Sequence, residues 1–184
     1  MNETKKLLFN AHLKKYQFNE EEINKEKERK RIVALKWSFL RENYEHKNQL
    51  IMINNIQNNN YNYNDEISKI AIHEINNKIN GYKNQDKIKK KFDENKFLNI
   101  KSVIDKMNEC ELKCYYCSNE INVLYDISRE MKQWSVDRIN NDLGHNEDNY
   151  YLACLECNLK RRRKNDDKFL FTKQLKIIKT TENL

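Results

Sequence analysis

Apolar positions recur at helical spacing through the first two thirds of the chain and change to strand-like runs only in the last third. Residues 3–16 place Leu7, Leu8, Ala11 and Tyr16 on one side, the pattern of a short amphipathic helix. Asn19 followed by Glu20, Glu21 and Glu22 marks a second helix start, an N-cap residue and then acids where the macrodipole favours them. Nothing breaks that helix before about Asn55. Its first half is almost entirely charged and is expected to stand in solvent. Its second half carries Ile32, Val33, Leu35, Trp37, Phe39, Leu40 and Tyr44, too many for one face, so it is expected to be covered on more than one side. Residues 54–64 form a polar, Asn-rich stretch that reads as a linker, with Tyr61 and Tyr63 inside it.

Helical spacing returns over residues 65–80 through Ile67, Ile70, Ala71, Glu74, Ile75 and Ile79, with His73 off the stripe, and Gly81 is expected to end the helix. Val103, Ile104 and Met107 define a short helix over residues 100–107. Residues 133–139 and 150–153 are β-prone, and residues 155–164 are polar and Gly-free, suited to a helix. The closing order is therefore strand, loop, strand, helix. The fold class expected is α+β and mostly helical, with a helical region over residues 1–93 and a second domain over residues 94–184.

Composition sharpens this picture. The chain has 184 residues, 34% of them charged and 38% hydrophobic, with two Gly and no Pro. Its mean hydropathy is −1.05. So few breakers and so little apolar content imply long surface helices around a thin core. The net charge of +7 favours a polyanionic partner, discounted because the abundance of Asn, Lys and Ile has the look of an AT-rich coding sequence. No apolar run reaches the length of a membrane span, and the polar start is no signal peptide, so an intracellular, reducing compartment and no membrane partner are expected.

The cysteines carry the first specific chemistry. Cys114 and Cys117 form one C-x-x-C pair and Cys154 and Cys157 another, with 36 residues between the two pairs. Four thiolates in two such pairs are what a tetrahedral structural Zn²⁺ site requires. Cys110 lies outside both pairs and reads as a spare thiol.

Between and just after the pairs stand V-D-R-I at residues 136–139, G-H-x-x-D-N at 144–149 and C-x-x-C-N-x-x-R at 154–161. These motifs resemble the HNH, or ββα-metal, endonucleases, in the zinc-knuckle branch that includes recombination endonuclease VII and HNH proteins of large DNA viruses and phages. The resemblance covers about 50 residues. It implies a strand–loop–strand–helix module in which Asp137 and Asn158 hold a catalytic Mg²⁺ or Mn²⁺, and in which Asn149 braces the loop. It also implies hydrolysis of DNA phosphodiester bonds.

One departure bears on activity. The family carries a His, its general base, where this chain has Arg138, and a guanidinium stays protonated. Arg138 is left to bind the scissile phosphate, and His145 is the nearest residue chemically suited to accept the proton. The cationic run Lys160, Arg161, Arg162, Arg163 and Lys164 would project beside the metal, since Asn158 shares a helix face with residues three and four further on. Lys89, Lys90 and Lys91 belong to a basic segment similar to one that precedes the first knuckle in this branch, a second backbone contact. DNA is the partner expected, with RNA as the alternative polyanion, and the N-terminal helices are a surface for a homodimer or larger assembly. Two other readings stand beside the nuclease: a zinc module that binds nucleic acid or protein without cutting, and a structural subunit.

Overall fold

The computed structural model describes residues 40–60 and 65–175. The helices expected over residues 3–16 and 19–39, together with Trp37, Tyr61 and Tyr63, lie outside these. Among the described residues the fold is α+β. A short 3-10 helix (Arg41–Tyr44) leads into α1 (His46–Gln57), α2 (Glu66–Ile88) and α3 (Ile100–Glu109), followed by β1 (Trp134–Arg138), β2 (Tyr150–Cys154), α4 (Leu155–Arg161) and α5 (Asp166–Gln174). The two strands pair antiparallel with Val136 opposite Leu152 and Asp137 opposite Tyr151. No helix among the described residues is long and apolar enough to cross a membrane.

Each of the first three α-helices buries one stripe. Met52, Ile53 and Ile56 of α1, Ala71, Ile75 and Ile79 of α2, and Val103, Ile104 and Met107 of α3 meet Leu112, Tyr116, Ile121, Leu124, Trp134 and Leu152 in one apolar cluster. Local chemistry sets the helix starts. Asp65 caps α2 by accepting from the amides of Ile67 and Ser68, both at 3.1 Å, and Asn99 and Ser102 form a capping box at α3.

Three boundaries differ from the sequence expectation. The helix read as unbroken to Asn55 is interrupted at Glu45, which is extended at φ −68° and ψ 136°. The cause lies in α1, where the buried Gln49 carboxamide donates to the carbonyls of Tyr44 at 3.0 Å and Leu124 at 3.2 Å. Gly81 does not end α2, which runs on to Ile88. A Cβ at Gly81 would meet nothing within 4 Å, so its glycine costs only about 1 kcal/mol of helix propensity. Tyr82 and Asp86 beyond it gain partners that offset this cost. The helix expected over residues 155–164 stops at Arg161, because Arg162 turns left-handed at φ 55° and Asn165 caps α5.

Gln49 also accepts from the amides of Val123 at 2.7 Å and Leu124 at 2.9 Å, so one buried side chain serves four backbone groups. Gln49→Leu strands these groups at roughly 1–3 kcal/mol each for those that stay buried. Chemical denaturation is expected to show a loss of at least about 2 kcal/mol.

Candidate metal centre and nucleic-acid face

The four cysteines of the two C-x-x-C pairs come together. Their Sγ atoms all lie within 4.8 Å of one another, and those of Cys117 and Cys154 are 4.0 Å apart. Tetrahedral Zn²⁺ with bonds of about 2.3 Å separates its sulfurs by about 3.8 Å, so the donor set fits the ion. All four thiols are free, and Cys110 stands apart with its thiol donating to the Met107 carbonyl. Turns build the cradle. The Cys114 carbonyl accepts from Ser118, the Cys114 amide donates to Asn119, and Cys154 caps α4 through its sulfur, which accepts from the Cys157 amide at 3.4 Å. Burial and the neighbouring Cys114 sulfur push the Cys157 thiol up to about 12. A divalent cation relieves this crowding by releasing the thiol protons.

Tyr116, inside the first pair, links this centre to the sheet. Its hydroxyl donates to Asp137 Oδ2 at 2.7 Å, and Arg161 Nη1 donates to the same oxygen at 3.0 Å. Burial raises the Asp137 carboxyl above its ordinary value, against the pull of Tyr116 and Arg161 in the other direction. Asp137 Oδ1 takes no hydrogen bond among the described residues. Asn158 is arranged similarly. Its Nδ2 donates to Ser135 Oγ at 3.2 Å and to the carbonyl of Val136 at 3.1 Å, the residue just before Asp137, and Oδ1 is left without a partner among the described residues. One carboxylate oxygen and one carboxamide oxygen, each anchored through its other atom, are hard donors of the kind Mg²⁺ takes.

The β1–β2 loop, residues 139–149, is fastened at many points. Asn149 donates to the carbonyls of Asn140 at 3.0 Å and Gly144 at 2.9 Å, and accepts from the Asn140 amide at 2.8 Å. Arg138, at the end of β1, donates through Nη1 to Leu143 O at 3.0 Å. His145 is buried, its Nδ1 2.8 Å from Asp86 Oδ1 and its ring stacked on Tyr82 at 4.6 Å.

The cationic residues divide into two kinds. Arg161 lies beside the candidate metal ligand Asp137, but its guanidinium is turned inward and held by the protein rather than left open to a phosphate. It is 1% exposed, and besides Asp137 it donates to the carbonyls of Arg138 and Ile139. Because α4 ends there, Arg162, Arg163 and Lys164 leave the helix and are exposed. Lys160 pairs with Glu156. Lys89 and Lys90 are exposed, whereas Lys91 is half-buried and its ammonium donates to the Asn141 carbonyl. Asn141 in turn donates to the carbonyl of Arg162 at 3.5 Å. Two basic runs some 70 positions apart thus meet at one loop residue. A groove of about 440 Å³ lies beside that loop, lined by residues 139–142, Arg161 and residues 163–166.

The chain matches no family model, no curated protein and no solved structure.

Sequence reasoning missed Asp86, Tyr82 and Tyr116. Asp86 was hidden by ending α2 at Gly81. Extended by helical spacing, the stripe Ile75, Ile79, Tyr82, Asp86 puts a carboxylate on a buried face, which demands a partner. Tyr116 carried no signal beyond its place between two ligating cysteines.

Three outcomes are expected. Chelation, or Cys157→Ser, is expected to remove about one zinc per chain by elemental analysis and to unfold the segment around β1 and β2 by circular dichroism. Arg161→Met strands the Asp137 charge and is expected to cost about 3–5 kcal/mol by denaturation. Arg163→Ala, at an exposed position, should leave stability within about 0.5 kcal/mol.

Proposed function

We propose that this protein is a metal-dependent endonuclease or nickase of the HNH type that hydrolyses DNA phosphodiester bonds. The observation that carries this reading is the placement of Asp137 and Asn158. Asn158 donates to the carbonyl of Val136, the residue before Asp137, and each of the two side chains has one atom anchored and one oxygen free, beside a loop where two basic runs converge. The four-sulfur centre supports it by fixing both ends of the unit, Tyr116 before β1 and Cys154 at the start of α4.

In this reading Asp137 and Asn158 hold a divalent cation, which supplies neutralisation of the charge that develops on the phosphate. Arg161 and Tyr116 keep the Asp137 carboxylate oriented. Arg138 retains a guanidinium nitrogen beyond the one given to Leu143 and offers it to a phosphate oxygen. Arg162, Arg163, Lys164, Lys89 and Lys90 bind flanking phosphates without reading sequence. A second reading, binding without cleavage, is favoured by one observation: the residue beside Asp137 is Arg138, which cannot accept a proton.

Supercoiled plasmid incubated with the protein and Mg²⁺ or Mn²⁺ separates the two. The nuclease reading expects open-circular product, lost by roughly 10²–10³-fold in Asn158→Ala and in Asp137→Asn, which keeps an oxygen for Tyr116. A plasmid that is retarded in a gel but never cut, with any metal, establishes the binding module instead. In either case Arg163→Ala should reduce the salt dependence of plasmid binding by about one unit of slope.

A further inference from the structure

Arg138 leaves the proposed hydrolysis without a proton acceptor beside Asp137, and the fold presents an imidazole held in an unusual way. Asp86 lies on α2, 59 positions before His145, and its carboxylate is fully buried. It grips His145 twice, Oδ1 at 2.8 Å from Nδ1 and Oδ2 accepting from the backbone amide at 2.6 Å. Tyr82, one helical turn earlier, stacks on the ring and accepts from the Val136 amide at 3.1 Å, so the helix that carries Asp86 is itself tied to β1. The preceding residue must be glycine for this approach. A Cβ on Gly144 would sit 2.4 Å from the Lys91 carbonyl oxygen and 2.9 Å from Asp86 Oδ2.

We propose that His145 is the proton acceptor of the hydrolytic reaction and that Asp86 is its positioning residue. The inference rests on the nuclease reading above. A carboxylate on Nδ1 fixes the tautomer with the proton on that nitrogen and leaves the Nε2 lone pair free to accept. Nε2 takes no hydrogen bond among the described residues. It is not sealed either: the buried side-chain nitrogen and oxygen atoms lacking a partner there are Asn146 Oδ1 and Arg161 Nε. The 5% of the His145 side chain that remains accessible therefore includes the nitrogen that must meet water. In the step, water loses a proton to Nε2 as its oxygen forms the new bond to phosphorus, and the bond from phosphorus to the leaving sugar oxygen breaks with its electron pair going to that oxygen, which takes a proton from solvent water. The resulting imidazolium is stabilised by Asp86.

The charged and titratable groups facing the imidazole are Asp86 and Lys89 of α2 and its extension, Arg138 of β1, and the Tyr82 phenol. Burial pulls the imidazole below its ordinary value, Asp86 opposes this, and Arg138 and Lys89 add to it. A base lowered in this way stays neutral at pH 7. The acid limb of the nicking rate is therefore expected below about pH 6.5, the ordinary imidazole value. Asp86→Asn removes the opposing charge and should move the limb further down while slowing the plateau.

The test is plasmid nicking by the full chain with Mg²⁺ or Mn²⁺, comparing wild type, Asp86→Asn, His145→Asn and His145→Ala. Zinc content and plasmid binding are measured on every variant. His145→Asn can keep a donor for Asp86 but has no Nε2. Expected are a loss of at least about 100-fold in both His145 variants with zinc and plasmid binding retained, and partial recovery of His145→Ala by added imidazole. His145→Asn or His145→Ala that nicks at the wild-type rate overturns the proposal and leaves the nuclease reading standing. A wild-type acid limb above pH 6.5, unmoved in Asp86→Asn, overturns it as well, which keeps the question open to wild-type kinetics if the His145 variants fail to fold. Wild type that binds plasmid and never nicks removes the nuclease reading itself.

Discussion

Four sulfur atoms from two segments converge to within 4.8 Å of one another, close enough to hold one metal ion, and the arrangement of the C-terminal half follows from that convergence. A chain this polar has little apolar surface with which to hold a two-stranded sheet, and two strands alone are marginal in water. The sulfur centre supplies the missing constraint. It fixes the turn that carries Tyr116 and the start of α4 relative to each other. Through them it fixes both the oxygen that steadies Asp137 and the helix that carries Asn158. The candidate metal centre and the candidate catalytic edge are thus one mechanical unit, coupled through the Tyr116 phenol and through α4.

The second support is α2, whose contacts with β1 and the loop that follows it recur every four residues. Lys78 donates to Gln133 Oε1 and the Trp134 carbonyl, Tyr82 accepts from the Val136 amide, and Asp86 holds the His145 backbone and ring. These are polar residues on a buried helix face, and each finds a partner, as burial requires. The free edge of β1, which would otherwise offer an unpaired amide, is closed by this face. The buried Asp137–Arg161 pair adds a different kind of constraint. It contributes little net stability as a pair, but loss of either member leaves a charge without compensation.

The sequence exposed those features that depend on local chemistry. The cysteine spacing foretold a cluster because each C-x-x-C pair presents two sulfurs on one tight turn, and two such pairs make up a four-thiolate site. The two β-prone runs and the polar helix after them appear in that order because their spacing and composition are local properties. The extent of α2 was hidden, since a glycine on an exposed helix face leaves the same mark in sequence as one that ends a helix. Arg161 was hidden for a related reason. Within a run of five cations, only tertiary placement distinguishes the one guanidinium that folds inward to three oxygen acceptors from those that remain in water. His145 could be named as chemically suitable, but its partner lies 59 positions away on a helix that was read as already finished.

The first rung of the α2 ladder has an optical consequence. The Lys78 ammonium sits 4.7 Å from the centre of the Trp134 ring, and burial draws it down to about 7. An indole 2% exposed, with a charge that appears and disappears against its face near neutrality, is a fluorophore with its own electrostatic modulator. In a background lacking Trp37, the colour of its emission would register whether α2 is seated on the sheet, with no dye attached.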